Sequence, residues 1–430
     1  MSLTVYAFFA LLTCVYWLAS LFVLLLRIGD PHFRSMAQYG GRQTSSSSTS
    51  LAVSSSGKQL TSNIVKEENK FSYFMNYIKN TWILRRIREN VTTILIWLEG
   101  SFLGQMRVSR KYSFCAFYIT GIVSSLTLLF LEYFQLYLSS IIISTSCSEQ
   151  VLKNTLWPYD LLPLVAFLIH CTVRLWECLF VHRFRNGKGD SVTLFAAFAG
   201  CSFYVFAANS SSAIIFRAVQ IEWLSSHECK GFELSGNVYD FKFSVMIIVI
   251  CFVLHLILQG VQVLHHRILA KLRNESSTLI KSHEKNVIMK HEKVIHNKDM
   301  LNQERKGTSG SMYHFPYTSL FVYVLEPHYT CEIVMYLVNT ISIWSLLYPS
   351  TPLLLMTACE GEGDCHVSLM LLLVFISLLL NYVAPLGVLL FSLCNLAITA
   401  SEHRRFWNHV NREREKKEQL PRWDLFYLLW

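Results

Sequence analysis

Charge is what this chain has little of. Asp, Glu, Lys and Arg make up 16% of its 430 residues, against 52% hydrophobic, and the mean hydropathy is +0.35. That balance excludes an ordinary water-soluble domain of this length. The motifs of soluble cofactor enzymes are missing too. There is no G-x-G-x-x-G after a strand and no G-x-x-x-x-G-K-[ST]. There is no H-E-x-x-H, no Cys/His set with zinc spacing and no G-x-S-x-G elbow. An enzyme built on this chain must bind its cofactor through a helical bundle.

What is present is long apolar segments. Seven stretches, at 4–27, 114–144, 158–181, 191–216, 243–265, 331–357 and 367–399, have the length and composition of spanning helices. The expected fold class is therefore all-α, a polytopic membrane protein of about seven helices. The first stretch has no basic leader and no small-residue cleavage site, so we expect a retained helix.

The net charge of +9 is unevenly spread. The segment after the first helix, 182–188, 267–306 and the C-terminal tail are basic. The alternate loops are neutral or acidic, most of all "CEGEGDC" at 359–365. This alternation predicts a non-cytosolic N-terminus and a cytosolic C-terminus. The positive charge marks orientation; no pattern points to nucleic acid. Cys359 and Cys365 fall in a loop placed outside the cytosol, where a disulfide or two free thiols both fit.

Residues 43–56, "QTSSSSTSLAVSSS", are low-complexity and predict a disordered cytosolic insertion. We expect 1–70 to comprise the first helix plus this insertion, and 71–430 to form the membrane domain. Within that domain, 71–105 mixes aromatic and basic residues, which fits a membrane-surface amphipathic helix or a partly inserted hairpin. The segment 274–310 is expected to be a long, partly disordered loop or lid.

Ionisable residues inside the apolar stretches carry the functional signal, because charges in membrane helices face a bundle interior or a polar cavity. In "LIHCTVRLWECLFVHRF", His170, Arg174 and Glu177 share one helical face. In the fifth helix His255, Gln259, Gln262 and His266 share another, and Arg273 continues it. "EPHYTCE" places Glu326, His328, Tyr329 and Glu332 at the cytosolic entrance of the sixth helix. The seventh ends with Asn395, Glu402, His403, Arg404 and Arg405. Singly, each set also fits an ion pair or an interfacial anchor. Together they predict a site for a polar, anionic ligand from the cytosol, with apolar helices for a lipophilic partner.

Several of these segments resemble the polyprenol reductases, the dolichol-forming branch of the steroid 5-alpha-reductase family. They are "HCTVRLWECLFV" (170–181), "QVLHHRILAKLRN" (262–274) and, most specifically, "YHFPYTSLFVYVLEPHYTCEIVMY" (313–336). "YGG" at 39–41 and "VSRKYSFCAFY" at 108–118 are similar to further family segments, in the same order. The resemblance implies a seven-helix reductase of the endoplasmic reticulum membrane that uses NADPH from the cytosol. Its substrate would be a polyisoprenoid, whose alpha-isoprene double bond is saturated to supply the lipid carrier of protein N-glycosylation. The aldehyde, polyprenal, is a better hydride acceptor than the alcohol, because its carbonyl stabilises the transient enolate.

The resemblance further implies that Arg174 and Arg273 meet the cofactor phosphates, with Gln262 and His266 beside them. His328, Tyr329 and Glu332 would hold the nicotinamide and ribose, and His403 or Arg404 the adenosine end. Tyr118, His170 and Glu177 are the candidates for proton donor or acid. No metal is implied. The chain departs from the family pattern in places: Trp407 replaces a Tyr, the Lys-Phe pair that follows it in the family is lost, and Ala116 replaces a His. Reduction of another lipophilic enone, such as a 3-oxo-4-ene steroid, fits the same residues. So does a non-catalytic binding protein or receptor.

Overall fold

The computed structural model describes residues 3–29, 100–142, 158–182, 190–214, 238–293, 315–347, 365–413 and 420–425, with a few single positions elsewhere. The Ser-rich stretch at 43–56, most of 71–105 and Cys359 lie outside the described residues, as does the side chain of Cys365. The described chain is mostly helical. Its long helices are α1 (Leu3–Gly29), α3 (Arg110–Ile142), α4 (Leu162–Trp176), α5 (Leu194–Ser210), α6 (Val238–Lys293), α7 (Pro327–Leu347) and α8 (Cys365–Glu413); α2 is the short Phe102–Gln105.

Six helical stretches are long and apolar enough to cross a membrane. The expected span at 191–216 is instead the 17-residue α5, whose chain leaves the helix at Ser210 and turns through Ser211 and Ser212. Two further differences stand out. The all-α expectation omits a small ribbon, and the loop expected from 274 begins as helix, since α6 continues to Lys293. No Gly or Pro interrupts 274–293, and Lys, Glu and Met there favour helix.

The chain forms two compact units. The smaller comprises Phe22–Ser113 and Phe184–Gly200. Its ribbon pairs β1 (Arg107–Ser109) antiparallel to β2 (Ser191–Thr193), with Val108 opposite Val192. Arg110 Nε lies 3.1 Å from Asp190 Oδ1, and the Thr193 hydroxyl accepts from Ala196 N to cap the start of α5.

The larger unit comprises Met1–Leu21, Phe114–Arg183 and Cys201–Trp430. Its central helix is α7, 67% of whose apolar window is buried, against 22–39% for the other spans. α6 and α8 both pack on it. Small residues set the closest approaches, as expected where lipid gives no hydrophobic drive between helices. A Cβ on Gly121 would stand 2.6 Å from Cys171 Sγ, and one on Gly387 2.5 Å from the Trp17 ring. Trp17 is buried there, donating from Nε1 to the Ser210 hydroxyl at 2.9 Å.

Two irregularities shape the bundle. Pro385 interrupts the hydrogen-bond ladder of α8, and its carbonyl accepts from Thr340 of α7 at 3.2 Å. After α4 the chain continues as a π-helical turn, Glu177–Val181, closed by His182 N donating to Glu177 O at 2.7 Å. The C-terminal segment docks against the entry to α7. Leu325 N and Glu326 N donate to Trp423 O and Asp424 O, and Leu425 is fully buried.

Gly387→Ala is expected to lower the thermal stability of the detergent-solubilised protein, by about 1–3 kcal/mol for overpacking against Trp17. Gly260→Ala, where nothing lies within 4 Å, is expected to be neutral or stabilising. Equal effects of the two would contradict the packing assigned to Gly387.

Candidate functional site

The site is built at one end of the larger unit, where α4, the π turn, α6, α7 and α8 converge. Arg174 and Glu177 sit one helical turn apart. Arg174 Nη1 donates to Glu177 Oε2 at 2.6 Å, and Glu177 is wholly buried. His266 of α6 completes the arrangement, with Nδ1 2.9 Å from Glu177 Oε1. The same Arg174 nitrogen lies 2.8 and 3.2 Å from the two ring nitrogens of His266, so the guanidinium meets the imidazole broadly. On its other side, the Arg174 guanidinium carbon stands 5.4 Å from the centre of the Tyr118 ring.

One face of α6 continues this polar line inward. Gln262 donates to Glu332 Oε2 at 3.0 Å and to the carbonyl of His328 at 3.3 Å, tying α6 to α7. Gln259 donates to Gln262 at 3.3 Å and accepts from His170 Nδ1 at 2.8 Å. The neighbouring His265 turns the other way. It bonds the Val261 carbonyl and packs on Phe321, so it supports the helix rather than the site.

Outward, a series of rings leads to the rim. The centroids of His182 and His266 are 4.9 Å apart, as are those of His266 and His328. His328 and Tyr329 follow at 4.3 Å, and Tyr329 stacks on His403 at 6.1 Å. Glu326 anchors this end, with its Oε1 2.7 Å from His403 Nδ1. Arg273 is exposed. Its charge is felt at His182, whose pKa burial, then Arg174 and Arg273, push from the usual 6.5 to about 4 against the pull of Glu177.

Buried donors and acceptors here remain unused. Arg174 Nε and His170 Nε2 have no hydrogen-bond partner. His328 Nδ1 is 3.5 Å from Glu326 Oε2, too long for a hydrogen bond, and also has none. The orphaned Nε donor of the buried Arg174 guanidinium fits an anionic, oxygen-rich ligand such as a nucleotide phosphate. Glu177, His182 and His266 have metal-ligand spacing, their donor atoms lying within 4.8 Å of one another. The Arg174 guanidinium already fills the cation's place among them, which argues against a divalent ion at that point.

The structure therefore gathers Tyr118, His170, Arg174, Glu177, Gln262, His266, His328, Tyr329, Glu332 and His403 around one centre. Arg404 differs, because its guanidinium bonds Asp424 and the Pro421 carbonyl and so holds the C-terminal segment. Trp407 packs edge-to-face on Phe315, 5.5 Å away, in the apolar cluster under that segment. Ala116 is exposed, about half a helical turn round from buried Tyr118. Sequence reasoning missed His182, Tyr204 and Tyr336. Tyr204 packs edge-to-face on Tyr118 at 5.2 Å, and Tyr336 lies 6.1 Å from His170. A signal for Tyr336 was available: it follows Glu332 by one helical turn.

Arg174→Met leaves Glu177 buried without its cation, and is expected to cost about 3–5 kcal/mol of unfolding free energy. Arg174→Met/Glu177→Leu should recover much of that loss; a double variant less stable than the single would contradict the buried pair. Between pH 6.5 and about 4, the unfolded chain binds a proton at His182 that the folded chain does not. Stability present above that window is lost as pH falls through it. His182→Gln should flatten this slope in an unfolding series, and an unchanged slope would contradict the partial burial of His182.

No family model, curated protein or solved structure matches the chain.

Proposed function

We propose that the chain is a seven-span reductase of the steroid 5-alpha-reductase type, with α5 as the seventh span. In this reading it acts in the endoplasmic reticulum membrane, with the N-terminus lumenal and the C-terminus cytosolic. Its substrate is polyprenal or polyprenol, and its product serves dolichol synthesis and protein N-glycosylation. The observation that carries the reading is the buried Arg174, held between Glu177 and His266 with its own Nε donor unused. These are residues on which the resemblance rests, and they come from separate helices to one point.

NADPH, when bound, supplies a hydride to the beta carbon of a conjugated alkene. The protein's residues do the rest. Arg174 and the exposed Arg273 pair with phosphate oxygens, a task suited to a permanently charged, forked donor. Gln262 and Glu332, already bonded across α6 and α7, hold the reactive end. His328, Tyr329 and His403 offer a run of ring faces and edges toward the rim. Among the donor candidates, Glu177 is engaged at both oxygens, which makes it a positioning group for Arg174 and His266. His170, with Nδ1 on Gln259 and Nε2 unused, and Tyr118 beside Arg174 are better placed to meet a substrate oxygen. Apolar side chains exposed along α3 and α6 present a lipid-facing surface along which the isoprenoid tail would lie.

Purified protein with NADPH should consume cofactor when offered polyprenal, and less with polyprenol or a 4-ene-3-keto steroid. Glu332→Ala and Arg273→Ala should each abolish most of that turnover. Turnover of the steroid alone would move the substrate assignment, and no turnover with intact NADPH binding would point to another lipid. Failure to bind NADPH would overturn the reductase reading.

A further inference from the structure

A second set of buried polar groups lies deeper in the larger unit, and the site above does not use it. Glu132 of α3 is fully buried, about 33 Å along its helix from Arg110. Its Oε1 accepts from the Ser212 hydroxyl at 2.5 Å. Ser211 and Ser212 follow the end of α5, and Ser211 accepts from Asn339 Nδ2 of α7 at 2.8 Å. Asn339 is about 10 Å along α7 beyond Glu332. Ionisable groups buried in a membrane bundle are costly, and ion or proton pathways are among the functions that hold them there.

Two small cavities flank the Asn339–Ser211 contact. One is lined by His255, Cys251, Phe252, Asn339 and Ser342, among others. The other is lined by Thr13, Asn209, Ser210, Ser212 and Asn381, among others. Each has about 10 Å³ open to the centre of a water molecule, roughly the space one water needs. Each presents several polar groups, as an ordered water also requires. The His255 ring faces the Met335 backbone without a well-formed hydrogen bond, and Asn381 Nδ2 has no partner. His255 is buried, and its ring stands 6.3 Å from that of His170, whose Nε2 is unused. The Tyr336 hydroxyl beside His170 is buried and unpartnered as well.

We infer that both cavities hold ordered waters, which with His255, Asn339, Ser211 and Ser212 form a polar path joining Glu132 to His170 and Tyr336, and that this path carries protons. Side-chain rotation at the Asn339–Ser211 contact opens it. The proton role rests on the reductase reading; the water occupancy does not. Saturating a conjugated double bond takes one hydride to the beta carbon and one proton to the alpha carbon. The hydride leaves the cofactor oxidised. The proton leaves the donor nearest the substrate, which regains one from the water behind it. The last transfer in the series comes from the carboxyl of Glu132, which is restored by a proton from solvent.

The test has two arms on the full chain in lipid nanodiscs. In the first, X-ray hydroxyl-radical labelling is read by mass spectrometry. Cys251 and Phe252, beside the first cavity, should be oxidised several times faster than Cys331, which is buried and lines neither cavity. Ser342→Val should remove the excess. Labelling of Cys251 no faster than Cys331 overturns the water path. In the second arm, Glu132→Gln and Asn339→Leu should lower kcat for NADPH consumption with polyprenal roughly tenfold or more, leaving KM for NADPH unchanged. A merely structural role would move KM or thermal stability instead. Unchanged kcat overturns the proton role. Labelled Cys251 in a protein without any turnover supports the water path and counts against the reductase reading alone.

Discussion

The buried contact of Arg174 with Glu177 and His266 is the constraint on which the rest of the larger unit depends. A guanidinium and a carboxylate taken out of water lose several kcal/mol of solvation each, so neither is stable there without the other. The pair sits within α4 and its π turn, and His266 fixes α6 against it. Gln262 then fixes α6 against α7, and Glu326 fixes the start of α7 against His403 of α8. One desolvated ion pair thus propagates, through hydrogen bonds at about 3 Å, into the relative placement of four helices.

That placement explains why so many polar groups in the centre lack partners. The helices are positioned by a few shared bonds, and the polar atoms left over lie around the same centre: the donor Arg174 Nε, His328 Nδ1 and, as an acceptor while Nδ1 donates to Gln259, His170 Nε2. A bundle evolved only for stability would have satisfied them or replaced them with apolar side chains. The unmet atoms are better understood as capacity for a ligand. The unmet groups deeper in the unit, Tyr336 and Asn381, extend the same logic away from Arg174 and toward Glu132.

The polar centre was legible in the sequence to the extent that it obeys helical spacing. His170, Arg174 and Glu177, and then His255, Gln259, Gln262 and His266, each form a stripe on one helix, and ionisable residues among apolar neighbours are costly enough to need a reason. Three features were not legible. His182 reaches Glu177 and His266 only because the chain widens into a π turn, which no periodicity announces. Tyr204 and Tyr336 sit within apolar runs, where an aromatic ring is unremarkable until its neighbours are known. Arg404 read as a cofactor contact because its partner, Asp424, comes from a segment whose docking on α7 is a long-range event. The length of α5 also escaped, since apolar composition continues past Ser210 while the helix does not.

The most direct measurement is equilibrium binding of NADPH to the wild-type protein and to Arg174→Gln/Glu177→Gln, a double change that keeps the buried pair neutral and hydrogen-bonded. The account predicts saturable binding by wild type, weakened roughly tenfold to a hundredfold in the double variant by loss of a charged hydrogen bond. Equal affinity of the two proteins would contradict the assignment of Arg174 as the buried anion-binding group.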